Sequence, residues 1–444
     1  MDIPLMENIV SLAKRRGFIF PSSEIYGGVE ALWDYGPLGA LMKNNIKKAW
    51  IKRFVQERLV DMALIDASII MHPKVWEASG HLKNFSDPLV ECKKCHARFR
   101  EDMKPEACTQ CEGKEFTTAK QFNLMFKTFL GPVEDNSHVA YLRPETAQAM
   151  FTDFKLVQET YGLKVPFGIA QVGKAFRNEI TTGNFIFRAR EFEIAELEYF
   201  VKPGDDEKQF DSWLKDWKQF LIDLGLKEEN LRLYEHKKDS LAHYSKRTVD
   251  IEYKFPFGWG EIAGVANRTD YDLKQHANAS GKDLSYFDEE TKKPYTPYVI
   301  EPTLGVDRLF LALLCQGYEE VKGGRTTTTE AVKETETVLR LHSAVAPVQV
   351  AVLPLVKNKP ELVEKAQEVH DTLKKHFMCE YHGTGAIGRR YRRQDEIGTP
   401  LCVTVDFDTL EDKAVTVRDR DTMKQDRIAI KDLVQKLQEK FHVL

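Results

Sequence analysis

The sequence predicts an α+β protein: an N-terminal part organised around an antiparallel strand pair and carrying a zinc ribbon, followed by a small C-terminal α/β domain. Three observations carry this. Residues 173–200 read as two strands around a polar turn, four cysteines form two Cys-x-x-Cys pairs within twenty residues, and from Ala346 onward buried-strand runs alternate with amphipathic helices. At 444 residues the chain is too long for one ordinary core, so two or three domains are expected.

An apolar fraction of 42% with 30% charged residues is that of a folded globular protein. No apolar run approaches the roughly 18–20 residues of a membrane helix, and Met1 to Glu7 lacks the basic-then-apolar layout of a secretory signal. A cytoplasmic location is expected. The net charge of −4 excludes an indiscriminate polycation, so any RNA contact must come from local basic patches. Two exist: Lys43, Lys47, Lys48, Lys52 and Arg53, and the run Arg389-Arg390-Tyr391-Arg392-Arg393. Each, taken alone, also reads as a solvated helix face.

In the strand pair, Ala175 to Glu179 reads as the first strand, Ile180 to Phe187 as the turn and Arg188 to Phe200 as the return. Side chains alternate across a sheet, so Arg177 and Glu179 share one face, as do Arg188, Arg190, Phe192, Ile194 and Glu196. Brought together, these sets offer guanidinium forks for phosphate, a ring for a base, and carboxylates. A salt-bridged exposed hairpin is the alternative. The cysteines Cys92, Cys95, Cys108 and Cys111 are spaced for a tetrahedral zinc shell, with Gly113 suited to a tight turn beside the sulfurs. Four thiolates leave no open position, so that metal organises the fold rather than the chemistry. Cys315, Cys379 and Cys402 read as ordinary buried residues.

The first region runs to about Tyr318, and Lys322-Gly323-Gly324-Arg325 with Thr326 to Thr329 reads as a linker. Beyond it, Val350 to Leu353 is a strand, and Pro360 opens a helix with Leu362, Ala366, Val369 and Leu373 on one face. Leu401 to Val405 and Ala414 to Val417 are further strands, and Ile430, Leu433, Val434, Leu437 and Phe441 mark a last helix. Gly383-Thr384-Gly385-Ala386-Ile387-Gly388 fits a dinucleotide fingerprint, but it stands late and runs into four arginines, and such a fingerprint counts only within a βαβ unit. There is no GxxxxGK[ST] phosphate loop.

Phe176-Arg177-x-Glu179 with Arg188-x-x-x-Phe192-x-x-x-Glu196 resembles motif 2 of the class II aminoacyl-tRNA synthetases. Gly305-Val306-Asp307-Arg308 is similar to their motif 3, and the stretch ending at Met71-His72-Pro73 to their motif 1. The segments 33–39 (WDYGPLG), 76–81 (WEASGH), 121–126 (QFNLMF), 142–148 (LRPETAQ), 259–262 (WGEI) and 300–302 (IEP) narrow the resemblance to homodimeric glycyl-tRNA synthetases, over nearly the whole chain. The implied architecture is a class II antiparallel-sheet catalytic domain over residues 1–340, a zinc-ribbon insertion at 91–117, and an anticodon-binding α/β domain at 345–444.

The resemblance implies ATP with Mg2+, glycine and tRNA(Gly) as ligands, and a homodimer. It assigns Arg177 to the substrate carboxylate and α-phosphate, Glu179 to the adenine amino group, Phe192 to the adenine face, and Arg188 and Arg308 to the terminal phosphates; Arg177 and Arg308 are the catalytic pair. Asn178, Ile180, Phe187, Glu261, Ile262 and Gly305 complete the ATP set. Glu145, Glu196, Glu301 and Thr303, with Arg100, Phe192 and Gly305, form the glycine set. Thr303 stands where the family usually has Ser, and Ala149-Met150 where it commonly has Gly-Ile; the extra methyl of Thr303 tightens a small pocket. Two alternatives stay open: a non-catalytic nucleic-acid-binding relative, which would be expected to have lost Arg177, Glu179 or Arg308, and a class II synthetase for another small amino acid.

Overall fold

The computed structural model describes residues 3–180, 182–242, 244–323, 325 and 335–441. Its main sheet has seven strands: β1 (Met62–Leu64), β2 (Phe167–Phe176), β3 (Glu191–Val201), β4 (Leu231–Glu235), β5 (Arg247–Phe255), β6 (Gly258–Thr269) and β7 (Tyr298–Gly305). They lie in the order β4-β5-β6-β7-β3-β2-β1, antiparallel except for β1 beside β2. Period-two patterning divides the sheet. Leu197, Tyr199 and Val201 of β3, Val249 and Ile251 of β5, and Ile300 and Leu304 of β7 face one large core. The alternate residues, Phe192 and Glu196, Thr248 and Asp250, Glu301 and Thr303, face a cavity.

Helices α1 (Pro37–Phe54), α2 (Asp206–Asp223) and α3 (Val306–Gly317) pack on the core side, as does the helix Ile3–Arg15 through Ile9, Leu12 and Ala13. Trp50 and Phe54 of α1 meet Trp217 of α2, with the Phe54 and Trp217 ring centroids 4.2 Å apart. Pro37 at the first turn, with a preset φ, starts α1. Gly39 is there because α1 crosses the backbone at Phe18: a Cβ on it would fall 1.9 Å from Phe18 O. The patch Lys43 to Arg53 is divided accordingly. Lys43 is buried against Glu193 (2.9 Å) and Asp307 (2.6 Å), and Lys47 reaches Glu193 at 2.9 Å, so neither is offered to RNA.

The hairpin is longer in its loop than the alternation implies. β2 ends at Phe176 and β3 begins at Glu191, so the described residues between them, 177–180 and 182–190, are loop with a short turn at Phe185–Phe187. The backbone leaves the ladder because Asn178 N–H donates to Leu124 O (2.8 Å) and Arg190 N–H to Ala31 O (3.0 Å). Arg190 accordingly donates from Nη1 to Glu30 O (2.8 Å) instead of joining the predicted face.

The stretch expected as a linker from Lys322 is partly paired: Tyr318–Lys322 and Thr335–Leu339 form an antiparallel ladder, while Gly324 and 326–329 lie outside the described residues. Beyond it β8 (Val350–Pro354), β9 (Cys379–Tyr381), β10 (Leu401–Val405), β11 (Ala414–Asp419) and β12 (Gln425–Ala429) form a second sheet, ordered β9-β8-β10-β11-β12. Helix α4 (Pro360–Leu373) buries the four predicted residues, and α6 (Leu433–Phe441) follows α5 (Ile387–Ile397) in the chain. The glycine-rich stretch 383–388 does lie between a strand and a helix, with parallel strands on either side, so its context is closer to a βαβ unit than the sequence suggested. Arg390 takes its polar groups: Nε donates to Gly385 O (3.0 Å) and Nη1 donates to Pro354 O.

Candidate active site

The cavity on the open face of the sheet holds about 370 Å³, within the usual range for small-molecule sites. Its wall includes Arg177, Glu179, Phe187, Arg188, Phe192, Glu261, Ile262, Gly305 and Arg308 of the expected ATP set, and Glu145, Glu196, Glu301 and Thr303 of the expected glycine set. Asn178, Ile180 and Arg100 are not on the wall. The Arg100 guanidinium is held locally: its Nε donates to Asp102 Oδ1 at 2.8 Å, and its Nη1 forms an ion pair with Asp87 at 3.6 Å. Asn178 spends its backbone on Leu124.

One end of the cavity is cationic and aromatic. Arg177 sits between the rings of Phe85 and Phe192, 5.4 Å from each centroid, and its Nε donates to Pro144 O (3.1 Å). That leaves the terminal nitrogens free to address a ligand. Arg308 leans on the Phe187 ring at 4.6 Å and donates to Glu261 Oε2 at 2.9 Å. Gly260 is required for this approach, since a Cβ there would lie 2.7 Å from the Phe187 ring. Asp307 is braced from behind by Lys43 and accepts from the Glu193 N–H (2.6 Å) and the Tyr35 hydroxyl.

The other end is acidic and nearly dry. Glu196 accepts from the Thr146 N–H (2.6 Å) and hydroxyl. Glu145 accepts from Gln148 Nε2 (2.9 Å) and lies 3.2 Å from His81 Nε2. Glu301 takes both oxygens to Arg268 Nη1, at 3.0 and 2.9 Å, and Arg268 also forks onto Asp272 at 2.8 Å. Burial alone would raise all three glutamates. His81 and Arg268 nevertheless hold Glu145 well below the usual carboxylate range. Glu196 is raised by burial and by the Glu145 charge, and burial pushes Glu301 up to about 8 against the pull of Arg268. Such a set is built to receive a cation.

Several of these groups carried no assignment in the sequence. His81 ends the segment Trp76-Glu77-Ala78-Ser79-Gly80-His81; Ser79 Oγ holds its Nδ1 at 2.8 Å and Trp76 packs edge-on at 5.4 Å. Asn123 donates to His81 O and Leu82 O, both at 3.1 Å. Arg143 donates to Lys174 O (2.7 Å) and Ala67 O (2.8 Å), anchoring the turn that presents Glu145 and Thr146. Arg268 and Glu198 carried none either; Glu198 shares the face of Glu196, but its neighbour across the sheet is set by β7. Ala149 and Met150 are buried in the core and do not line the cavity.

The four cysteines converge as expected. Their sulfurs lie within 4.8 Å of one another, with Cys92 to Cys111 at 3.6 Å and Cys95 to Cys108 at 3.5 Å. A tetrahedron with Zn–S bonds of roughly 2.3 Å has edges of about 3.8 Å, so the donor set fits zinc. The two knuckles repeat one construction: His96 N–H donates to Cys92 O and Glu112 N–H to Cys108 O, with His96 at φ 61° and Glu112 at φ 59°. Backbone amides of Cys95 and Lys94 pull the Cys92 thiol down to about 6, which favours the ligating thiolate.

Among the described residues no helix is long and apolar enough to cross a membrane. A family model described as the class II tRNA synthetase core domain (G, H, P, S and T) matches residues 108–317, and one described as an anticodon binding domain matches 349–440. A solved structure of Giardia lamblia prolyl-tRNA synthetase in complex with prolyl-adenylate superposes with a TM-score of 0.68 over 98% of this chain and 75% of that one; at 16% identity this shows the shared fold. The glycine–tRNA ligase of Alkaliphilus oremlandii is 52% identical, covering 98% of both chains, and that of Geobacillus thermodenitrificans 53% identical, covering 96% of both. A class II core whose cavity is cationic at one end and acidic at the other, with half its residues shared along nearly its whole length, places this chain in the glycine–tRNA ligase family.

Proposed function

We propose that the cavity binds ATP and glycine side by side, forms glycyl-adenylate with release of pyrophosphate, and transfers the glycyl group to the 3′ end of tRNA(Gly). The observation that carries this is the polarity of a single cavity, with guanidiniums and a ring at one end and three buried glutamates at the other. In activation a glycine carboxylate oxygen attacks the α-phosphorus in line. An O–P bond forms as the bond to pyrophosphate breaks, and pyrophosphate leaves with that electron pair. The protein must align two anions and disperse charge. Arg177 bridges the carboxylate and α-phosphate, Glu179 addresses the adenine amino group, and Phe192 carries the ring. Arg188 and Arg308 hold the terminal phosphates. Asn178 and Ile180 act through backbone placement of that loop. Glu145, Glu196 and Glu301 hold the ammonium, with Thr303 limiting the space.

Magnesium arriving with ATP would screen the phosphate charge. Asp250 and Glu261, carboxylates on the wall of the same cavity, are the residues that would hold it. In the same reading the catalytic unit spans 1–340 and the anticodon-reading unit 345–444, two copies associate, and the enzyme works in the cytoplasm. Of the run 389–393, Arg389 and Arg393 are left to face RNA, because Arg390 is buried and Arg392 pairs with Glu336 at 2.7 Å. The test is amino-acid-dependent ATP–pyrophosphate exchange. Glycine should support it and serine should not; exchange with serine in place of glycine overturns the assignment.

A further inference from the structure

Behind the acidic end of the cavity stands a carboxyl group that the proposed reaction does not use. Glu198 is fully buried, and among the described residues neither of its side-chain oxygens has a hydrogen-bond partner. Leaving such a group unsatisfied is costly, and native structures keep few of them without a reason. Its placement is fixed by register. Phe192, Ile194 and Glu196 of β3 all line the cavity, and Glu198 is the next residue on that face. Across to β7, Glu196 pairs with Thr303 and Tyr199 with Ile300, which sets Glu198 directly opposite Glu301. Directly opposed side chains on one face of an antiparallel pair are nearest neighbours.

The charges around this pair do not balance when every acid is ionised. Glu196 stands on the same strand, Glu145 with His81 on the facing wall, and Asp272 on the helix Tyr271–Ser280. Arg268 bonds Glu301 and Asp272, and the ring of Tyr244, 3.9 Å from its guanidinium, covers it. Five carboxyl groups thus face one bonded guanidinium, the His81 ring on Glu145, and the Arg177 and Arg143 charges near Glu196, at the nearly dry end of the cavity, where ionising all of them is costly.

We propose that Glu198 is a positioning residue of the amino-acid pocket: it stays a neutral acid that donates its proton toward Glu301, and the incoming ammonium expels to solvent the one proton Glu301 carries in the empty site. The step balances. The Glu301 O–H bond breaks, its electron pair stays on the carboxylate, the proton passes to bulk water, and the ammonium keeps its three N–H bonds. Burial raises Glu198 well above the ordinary range, with the Glu301 charge the next contributor, while Glu301 itself sits near about 8. Glu301, held through both oxygens by the Arg268 guanidinium, is the group that gives way to the carboxylate, and Glu198, with no cation bonded to it, is the one that stays protonated. The inference rests on the cavity being an amino-acid site.

The experiment is calorimetric titration of the full chain with glycine in buffers of different ionisation enthalpy, paired with exchange kinetics of Glu198→Gln and Glu198→Met. The parent should release close to one proton per glycine at neutral pH, falling toward none above about pH 9, with affinity rising as pH climbs to about 8. Glu198→Met keeps the shape but cannot donate. It should raise the KM for glycine about tenfold and move the pH midpoint for glycine binding upward, with kcat and the KM for ATP little changed. Glu198→Gln donates in the same place and should restore parental behaviour. If the Met variant does not fold, proton release by the parent and the Gln variant still decide. Parental exchange without proton release, a Met variant like the parent, or a Gln variant as impaired as a folded Met variant each overturns the inference. Absence of glycine-dependent exchange in the parent would overturn the amino-acid reading itself.

Discussion

Replacing Arg177 by lysine separates charge from geometry. The guanidinium is packed between Phe85 and Phe192 and tethered through Nε to Pro144 O, which presents its two terminal nitrogens as a fork. Lysine keeps the positive charge but has one nitrogen, no planar surface for the two rings, and no Nε to reach Pro144. A preorganised donor aimed at developing charge is worth roughly 3 kcal/mol, about a hundredfold in rate, and bidentate alignment of two anions adds to it. The Arg177→Lys variant is therefore expected to lose about a hundredfold to a thousandfold in kcat/KM for glycine-dependent pyrophosphate exchange. Stability should change little, because one half-buried hydrogen bond is worth about 1–3 kcal/mol at most. Steady-state exchange at saturating ATP, with a thermal melt of the same preparation, is the assay. A folded lysine variant within threefold of the parent would refute the idea that a fork at this position aligns the reactants.

Other outcomes follow from the same geometry. Removing the His81 ring with His81→Leu takes away the group that chiefly holds Glu145 down, so the KM for glycine should rise about tenfold with the KM for ATP unchanged; equal changes in both would contradict it. Glu301 is raised in the fold from its ordinary 4.5 to about 8, so the empty enzyme binds more protons folded than unfolded across that interval and loses stability as pH rises through it. Melting curves of the parent should show that loss, and Glu301→Gln should flatten it. Purified protein should carry about one zinc per chain, and Cys108→Ser should release it, as read by metal analysis. In the second sheet, Arg390→Ala should cost about 2–4 kcal/mol of stability by leaving Pro354 O and Gly385 O without their buried donor. Arg393→Ala should leave the melt unchanged and weaken tRNA binding.

Patterns local in sequence were legible. The helix opening at Pro360 buries Leu362, Ala366, Val369 and Leu373, and the four cysteines meet, because a helix face and a knuckle are set by nearby residues. The alternation around Phe192 and Glu196 placed both on the cavity wall. It misplaced Arg190 and overextended the strands, because partners distant in the chain, Leu124 and Ala31, capture the backbone on either side of the loop. The same cause hid His81, Arg268 and Glu198. Their roles depend on which strand or turn lies opposite, and register across a sheet is not written in one strand. The arginine run 389–393 misled for a different reason: a helix of alternating burial turns Arg390 inward and leaves Arg389 exposed, which a count of charges does not reveal.

The most direct test is a crystal structure with a non-hydrolysable glycyl-adenylate analogue. The account predicts the ammonium within about 3 Å of Glu145, Glu196 and Glu301, the α-phosphate mimic on the terminal nitrogens of Arg177, and the adenine on the Phe192 ring. An ammonium turned away from the three glutamates, or an adenine seated elsewhere than on Phe192, would contradict it.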